Sequence, residues 1–336
     1  MPLEKSGKAS PDAMTREPGD LPDWRPWKRR FSTGRRGARL ALCGGGSFRR
    51  ADGVERSLRP ETTRAGCGAV DRDDFMKRTL SALAACIALP AMTQAHFLLE
   101  YTSDTIIDRP GDVPVKLIFW HPFSNGYVME MEAPREFFMV HHGKRTDLLD
   151  RLEPTVFTGS ENEAPAFLGS VPVKRSGDYV LVTVPQPYFE ESEDKYIQQY
   201  TKTFLNRSEL PTDWMNPVGL LAEILPLNKP YNVLAGSTFT GRVMSEGQPV
   251  AGAEIEVEFM AAEPDMNQAR ATDPVVSPPP GGAVVVLSDD NGYFTFGIPR
   301  AGHWGFAALG VGPVTEHEGK ELSQDAVIWI RAWELE

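Results

Sequence analysis

The stretch Val113-Pro-Val-Lys-Leu-Ile-Phe-Trp120, followed at once by His121 and Pro122, has the composition of a β-strand. β-Branched and aromatic residues favour strands, and the turn residues Arg109-Pro-Gly-Asp112 mark its start. Four more segments of this kind surround it, separated by Gly, Pro, Asn or Asp: His96–Tyr101, Glu136–His142, Ala166–Val173 and Asp178–Val184. Short strands at this spacing predict an antiparallel β-sandwich.

One segment interrupts the strand pattern. Glu190–Phe204 begins with acidic residues, which suit the positive end of a helix. Its Tyr196, Ile197, Tyr200 and Phe204 recur at helical spacing. The sequence therefore predicts one short helical insertion in an N-terminal β-sandwich that spans residues 96–228.

A second β-sandwich is predicted over residues 229–336, after a linker at Pro226–Tyr231. Glu254–Phe259 alternates acidic with apolar residues, as a half-buried strand does. The order of Gly-x-Val, Gly-x-Pro-Val and Asn-Gly-Tyr-Phe motifs resembles the prealbumin-like or carboxypeptidase-regulatory-like sandwich. The predicted fold class is all-β, with two antiparallel β-sandwich domains in tandem.

Residues 76–95 have the three parts of a secretory signal peptide. Met76-Lys-Arg78 is the basic start, Leu80–Leu89 is the apolar run, and Thr93-Gln-Ala95 is the small-residue cleavage site. The apolar run is shorter than the roughly 20 residues that span a bilayer. We expect a periplasmic protein whose first residue, after cleavage, is His96.

The segment before the signal peptide does not resemble a domain. Residues 1–75 are rich in Arg, Gly and Pro and have no sustained period. A mis-called start codon, with translation from Met76, or a disordered basic arm explains them. Leu83-Ala-Ala-Cys86 also matches a lipoprotein box, and lipidation at Cys86 would leave His96 internal.

Charge and cysteine content narrow the function classes. Residues 1–95 hold 18 of the 35 basic and 11 of the 46 acidic residues, which leaves 17 and 35 for residues 96–336, a formal charge of −18. Such a chain repels nucleic acid, so we expect no nucleic-acid partner. All three cysteines precede His96, so a metal bound by the mature chain needs His, carboxylate, amine or Met ligands.

The histidines are the candidate metal ligands. A terminal His96 would offer its amine and its Nδ1 to one ion in a six-membered chelate ring. His121 follows a predicted strand, where loops at the rim of a sandwich build sites. His141 and His142 are adjacent on a predicted strand, so their side chains point to opposite faces and one at most reaches a given site. The alternatives are a signal peptide that happens to end before His96, a solvated or capping position for His121, and surface positions for His141 and His142.

Several stretches together resemble one family. They are Ala95-His-Phe97, Phe119-Trp-His-Pro-Phe123, Thr212-Asp-Trp214, Leu221–Pro230, Phe239–Ala253 and the segments His317-Glu-Gly-Lys320 and Ala326-Val-Ile-Trp329. They are similar to the bacterial periplasmic nickel/cobalt uptake components (NikK- or NikM-like), most of which are domains of unknown function. The resemblance implies a protein that holds Ni²⁺ or Co²⁺ for an inner-membrane transporter of the energy-coupling-factor type. It also implies metal ligands at His96 and His121, with His141 and His142 as further candidates.

Two other functions remain open from sequence. The first is a Cu²⁺ histidine-brace oxidoreductase, whose metal site needs at least a leading His and a second His. The second is a structural or adhesive pair of β-sandwiches, which needs no metal. The chain has no Gly-x-Ser-x-Gly, His-Glu-x-x-His, Walker or Rossmann motif. We therefore do not expect an enzyme, and we expect a divalent transition-metal ion as the ligand.

Overall fold

The computed structural model describes residues 96–335, and they are built almost entirely of β-strands. The predicted all-β sandwich class is confirmed. The one helical element in these residues is a single 3₁₀ turn at Leu149–Arg151. No helix within this part of the chain is long and apolar enough to cross a membrane. The signal peptide, the start at Met76 and Cys86 lie outside the described residues.

Eleven strands precede residue 208. In chain order they are β1 Phe97–Tyr101, β2 Ile106–Ile107, β3 Gly111–Trp120, β4 Val128–Met129, β5 Glu136–His141, β6 Lys144–Asp147, β7 Glu153–Thr158, β8 Glu163–Val173, β9 Gly177–Val184, β10 Tyr188–Glu190 and β11 Lys195–Arg207.

Ten strands follow. They are β12 Ala222–Pro226, β13 Val233–Leu234, β14 Thr238–Ser245, β15 Gln248–Pro249, β16 Glu254–Phe259, β17 Val284–Leu287, β18 Tyr293–Gly297, β19 Gly302–Ala308, β20 Glu316–His317 and β21 Lys320–Trp333.

The strands form three sheets. A five-stranded sheet has the order β1-β3-β8-β7, with β4 beside β3, and a four-stranded sheet has β12-β14-β15, with β18 beside β14. A twelve-stranded sheet has the main order β17-β16-β19-β21-β11-β9-β5-β6. In this sheet β11 and β21 pair in parallel, so strands from both sides of the predicted boundary near residue 228 share one sheet. The division into two domains there stays a prediction.

β1 and β3 are buried on both faces. Leu98, Leu117 and Phe119 belong to a core shared with β5, β9 and β11. Phe97 and Trp120 belong to another core that includes Trp329 of β21. Burial on both faces explains why these two strands are apolar without alternation. The end of the β1–β3 pair therefore lies between the two cores.

The predicted helix at Glu190–Phe204 is wrong. This segment forms β10, a turn and β11, which lies in the middle of the large sheet. β11 is buried along almost its whole length, so apolar and hydrogen-bonded polar side chains occupy both of its faces. Tyr196 and Ile197, which are neighbours, therefore point to opposite faces. The helical spacing of Tyr196, Ile197, Tyr200 and Phe204, on which the prediction was based, is therefore a coincidence.

Candidate metal site

The register of β1 and β3 brings His96 and His121 together. Phe97 pairs with Trp120 in an antiparallel ladder, so the residue before β1 lies opposite the residue after β3. The imidazole rings of His96 and His121 have their centroids 4.6 Å apart and their planes tilted by 45°. Two residues 25 positions apart in the sequence thus form one side-chain pair at the end of the ladder.

Glu190 orients the first of these rings. Its Oε2 lies 3.1 Å from Nε2 of His96, which places Nε2–H as the donor and leaves the lone pair of Nδ1 free. A carboxylate that holds the far nitrogen of a histidine is the usual outer partner of a metal ligand, since it fixes the tautomer and the ring orientation. Phe119 and Tyr188 pack against the same ring, at centroid distances of 5.8 and 6.3 Å.

The backbone at His96 is held by a side chain of the large sheet. Gln199 of β11 accepts a hydrogen bond from the Leu98 N–H at 2.7 Å, and its amide group donates to the His96 carbonyl. The same amide donates to Asp325 at 3.2 Å. Gln199 therefore fixes the start of β1 on the large sheet.

Burial keeps both imidazoles neutral near neutral pH. Loss of solvation lowers the pKa of His96, against the opposing charges of Glu190 and Glu193. Loss of solvation, with a smaller effect of His96, lowers the pKa of His121 to about 3. A neutral imidazole is the form that binds a metal ion, so protons compete little for these two rings.

The two histidines face a polar cavity of about 280 Å³. Tyr127, Glu161, Ser192 and Glu193 also line it. Glu193 pairs with Lys195 on its other side. The oxygen-rich, acidic lining suits a cation.

The structure does not bring His141 and His142 to this site. They lie at the end of β5, beside the start of β9, where His141 stacks on Tyr179 with ring centroids 4.0 Å apart. His141 contacts Asp178, whose partner in the β9–β11 ladder is Asn206. The His96 carbonyl accepts a hydrogen bond from Gln199, seven residues earlier on β11. Seven residues along β11 correspond to about 23 Å.

The hydrogen bonds of this second histidine pair are structural. Nδ1 of His141 lies 2.8 Å from the Asp178 carbonyl, and Nε2 of His142 lies 2.9 Å from the Ser176 carbonyl. His142 has φ of +50° and is followed by Gly143 at +68°. Its N–H donates to Asp213 at 2.7 Å. These contacts hold the β5–β6 turn.

The last two histidines also have protein partners. Buried His303 accepts at Nδ1 from Arg331 at 2.8 Å, and Arg331 also donates to Glu263 at 3.2 Å. The ring of His317 packs edge-on against Tyr196, with centroids 4.7 Å apart. Within residues 96–335, no cluster of three or more His, Cys, Asp or Glu side chains has the arrangement of a metal site.

Sequence reasoning missed the carboxylates of this site. Glu190 and Glu193 were assigned to the first turn of a helix, where acidic residues are common. In the structure they lie in β10 and in the β10–β11 turn. The signal that could have found them is the turn itself, because a Glu-Ser-Glu-Asp run between two aromatic strand segments is typical of a hairpin loop.

Comparisons with known proteins identify a family. No curated protein matches the chain. Among solved structures, the D0-D1 domain of intimin matches at 13% identity, covering 68% of this chain and 95% of its own, with a TM-score of 0.18. The fibronectin(III)-like modules of Clostridium thermocellum CbhA match at 7% identity, covering 71% and 95%, with a TM-score of 0.16.

Another match is latent PorU from Porphyromonas gingivalis, at 9% identity and a TM-score of 0.17, where the alignment covers 70% of this chain and 20% of PorU. At such TM-scores these likenesses carry no argument about this chain. Residues 93–312, more than half of the chain, match the family described as a domain of unknown function (DUF4198). The chain therefore belongs to the DUF4198 family.

Proposed function

We propose that the exported protein begins at His96 and binds one divalent transition-metal ion through the His96 amine, Nδ1 of His96 and a nitrogen of His121. The observation that carries the proposal is the 4.6 Å separation of the two imidazole rings. Two nitrogens bound to one ion at about 2 Å each lie at most about 4 Å apart. Rings this close reach that geometry by rotation of the His121 χ angles, with the His96 ring held by Glu190.

Three features of the surroundings support the proposal. Glu190 holds Nε2 of His96, which leaves Nδ1 as the nitrogen that closes a six-membered ring with the amine. Both imidazoles are neutral near neutral pH. Glu161 and Glu193 line the cavity in front of them and attract a cation.

The role that fits such a site is the capture of Ni²⁺ or Co²⁺ in the periplasm for delivery to an inner-membrane transporter. The resemblance to nickel/cobalt uptake components suggests this role, and a nitrogen-rich donor set suits Ni²⁺ and Cu²⁺. A purely adhesive pair of β-sandwiches does not need two adjacent imidazole rings with a carboxylate bonded to one of them. The metal is the cargo of the protein in this proposal.

The test compares two forms of the protein that differ at the chain terminus. The exported protein is purified and its N-terminus is determined by mass spectrometry, and a second form carries an acetyl group on the His96 amine. We expect the exported form to begin at His96 and to bind one equivalent of Ni²⁺ or Co²⁺ by isothermal titration calorimetry. The acetylated form, which has no free amine to close the chelate ring, should bind much more weakly.

Three results would contradict the proposal: a different N-terminus, equal affinities of the two forms, or an affinity that stays unchanged below neutral pH. The α-amino group has an ordinary pKa of about 7.7, so protons must compete with the metal if the amine is a ligand. Electron paramagnetic resonance of the Cu²⁺-loaded protein and a peroxide-consumption assay distinguish the copper oxidoreductase alternative from a metal carrier.

A further inference from the structure

A second cavity, of about 320 Å³, lies beside the candidate metal site. The two cavities share His121 and Ser124. Four parts of the chain form the walls of the second one: Phe97 of β1, the segment after β3, strand β16, and the loop from Pro278 to the start of β17. Its volume is at the lower end of the range for sites that bind small molecules.

Two carboxylates of β16 face this cavity. Glu256 and Glu258 alternate along the strand with Ile255, Val257 and Phe259, whose side chains belong to the core on the opposite face. Glu258 accepts a hydrogen bond from the Phe123 N–H at 2.8 Å. That bond ties the segment after β3 to β16 and fixes one side of the cavity.

One carboxyl oxygen of Glu256 receives no hydrogen bond from the described residues. The residue is only 5% exposed, and its buried Oε2 has no hydrogen-bond partner among the described residues. A carboxylate in such a place loses its hydration without recovering a hydrogen bond, which is costly, and burial raises the pKa of Glu256 to about 7 and that of Glu258 to about 8. A ligand that brings an N–H donor into the cavity removes this cost.

The cavity also has no positive charge of its own. None of the residues that line it is Lys or Arg, and the nearby Lys195 pairs with Glu193. Besides His121 and Ser124, the walls include the aromatic rings of Phe97 and Phe123 and the three prolines. The lining thus combines two carboxyl groups at one side, whose ionised forms a bound cation stabilises, with aromatic and proline surfaces that suit the apolar body of an organic cation.

We propose that this cavity binds a small organic cation, an alkylammonium, arylalkylammonium or guanidinium compound. The N–H groups of the ligand donate to the carboxylates of Glu256 and Glu258, and its apolar part lies against Phe123 and the proline loop. This site goes beyond the proposed metal function and does not depend on it, because Glu256 and Glu258 take no part in metal binding in that proposal.

The test uses the exported protein and three probes: phenethylammonium, agmatine, and the neutral isostere 2-phenylethanol. Binding is measured by isothermal titration calorimetry and by ligand-observed nuclear magnetic resonance. We expect saturable one-to-one binding of at least one cation and none of the alcohol. Glu256→Gln, which removes the ionisable group and keeps the shape of the side chain, should weaken cation binding by about 10- to 100-fold. Glu254→Gln, an exposed glutamate on the same strand, is the matched control and should bind like the wild type.

A second variant and a metal titration keep the result interpretable. Glu258→Gln retains an oxygen acceptor for the Phe123 N–H and should also weaken cation binding, so the test survives if Glu256→Gln fails to fold by thermal denaturation. Glu256→Gln should keep its Ni²⁺ affinity, and Glu190→Gln should keep its cation affinity, so the two proposals fail separately. The proposal is overturned if neither cation binds at millimolar concentration, if the alcohol binds equally well, or if the Gln variants bind the cations like the Glu254→Gln control.

Discussion

Oε2 of Glu190 lies 3.1 Å from Nε2 of His96, on the side of the ring away from Nδ1. The carboxylate of a residue in β10 thereby fixes the orientation of the residue that precedes β1. If His96 is the first residue of the exported protein, the nitrogen left free is the one that closes a six-membered ring with the terminal amine. The predictions on metal binding below depend on this arrangement.

Glu190→Gln should weaken Ni²⁺ binding by about tenfold, the lower end of the range for outer partners of metal-bound histidines. Gln still accepts a hydrogen bond from Nε2–H, but it has no charge to raise the basicity of the ring. Isothermal titration calorimetry of the exported protein measures the change. Glu191→Gln, the exposed neighbour, is the control, and equal losses in both variants would contradict a specific role of Glu190.

His121→Phe should reduce Ni²⁺ affinity by at least about a hundredfold, or about 3 kcal/mol. The ring of Phe fills the same buried space but has no nitrogen, so the ion loses one of its three nitrogen donors. His142→Asn is the matched control, because Asn tolerates the positive φ of His142 and this residue lies far from His96. Circular dichroism checks that both variants fold. A larger loss of affinity in His142→Asn than in His121→Phe would contradict the proposed ligand set.

Glu223→Gln should destabilise the fold by about 3 kcal/mol. Lys202 and Glu223 form a buried ion pair at 2.7 Å, with side chains 1% and 4% exposed. Glu223 also accepts from the Val218 N–H at 2.9 Å. Removing the negative charge leaves the ammonium group of Lys202 buried without its counter-ion, and such a charge is costly.

Urea denaturation measures this change in the free energy of unfolding. Glu254→Gln, on an exposed position of β16, should change it by less than about 0.5 kcal/mol. The double variant Lys202→Met with Glu223→Leu should be closer to the wild type than Glu223→Gln, since it removes both charges together. Equal stability of Glu223→Gln and Glu254→Gln would contradict a strong contribution of the ion pair.

The sequence predicted the strands well because their determinants are local. Glu254–Phe259 has the bounds predicted from its alternation, and Phe97–Tyr101 and Gly111–Trp120 differ from the predicted segments by one or two residues. β11 was mistaken for a helix because its two faces are both covered, so burial removed the alternation that identifies an exposed strand.

The candidate site was only partly predictable, because it depends on strand register. His96 and His121 were both candidates from their positions, yet only the pairing of Phe97 with Trp120 places them opposite each other. Register depends on contacts between distant residues and leaves no local pattern. His141 and His142 are of the same residue type as the two site histidines, but they lie elsewhere, because the length of β11 separates them from the site.

Asp325→Asn should change how stability varies with pH. Burial raises the pKa of the Asp325 carboxyl from 3.8 to about 6, against hydrogen bonds from Ser323 and the Gly310 N–H. The folded protein therefore holds this proton more tightly than the unfolded chain does. The stability that the group contributes is fully present below pH 3.8, declines as the pH rises through about 6 and is absent above it. Asn, which is neutral at every pH and keeps an oxygen acceptor for the Gly310 N–H, removes this decline.

Urea denaturation between about pH 4 and pH 7 tests this prediction. The gain in stability of Asp325→Asn over the wild type should grow across that window by on the order of 2 kcal/mol, as a pKa shift of about two units implies. Glu153→Gln, at an exposed position at the start of β7, should follow the wild-type profile in parallel. Other buried carboxyls, such as Glu256, titrate in all three proteins, so only the difference between profiles reports on Asp325. Parallel profiles of Asp325→Asn and the wild type would contradict a raised pKa at this position.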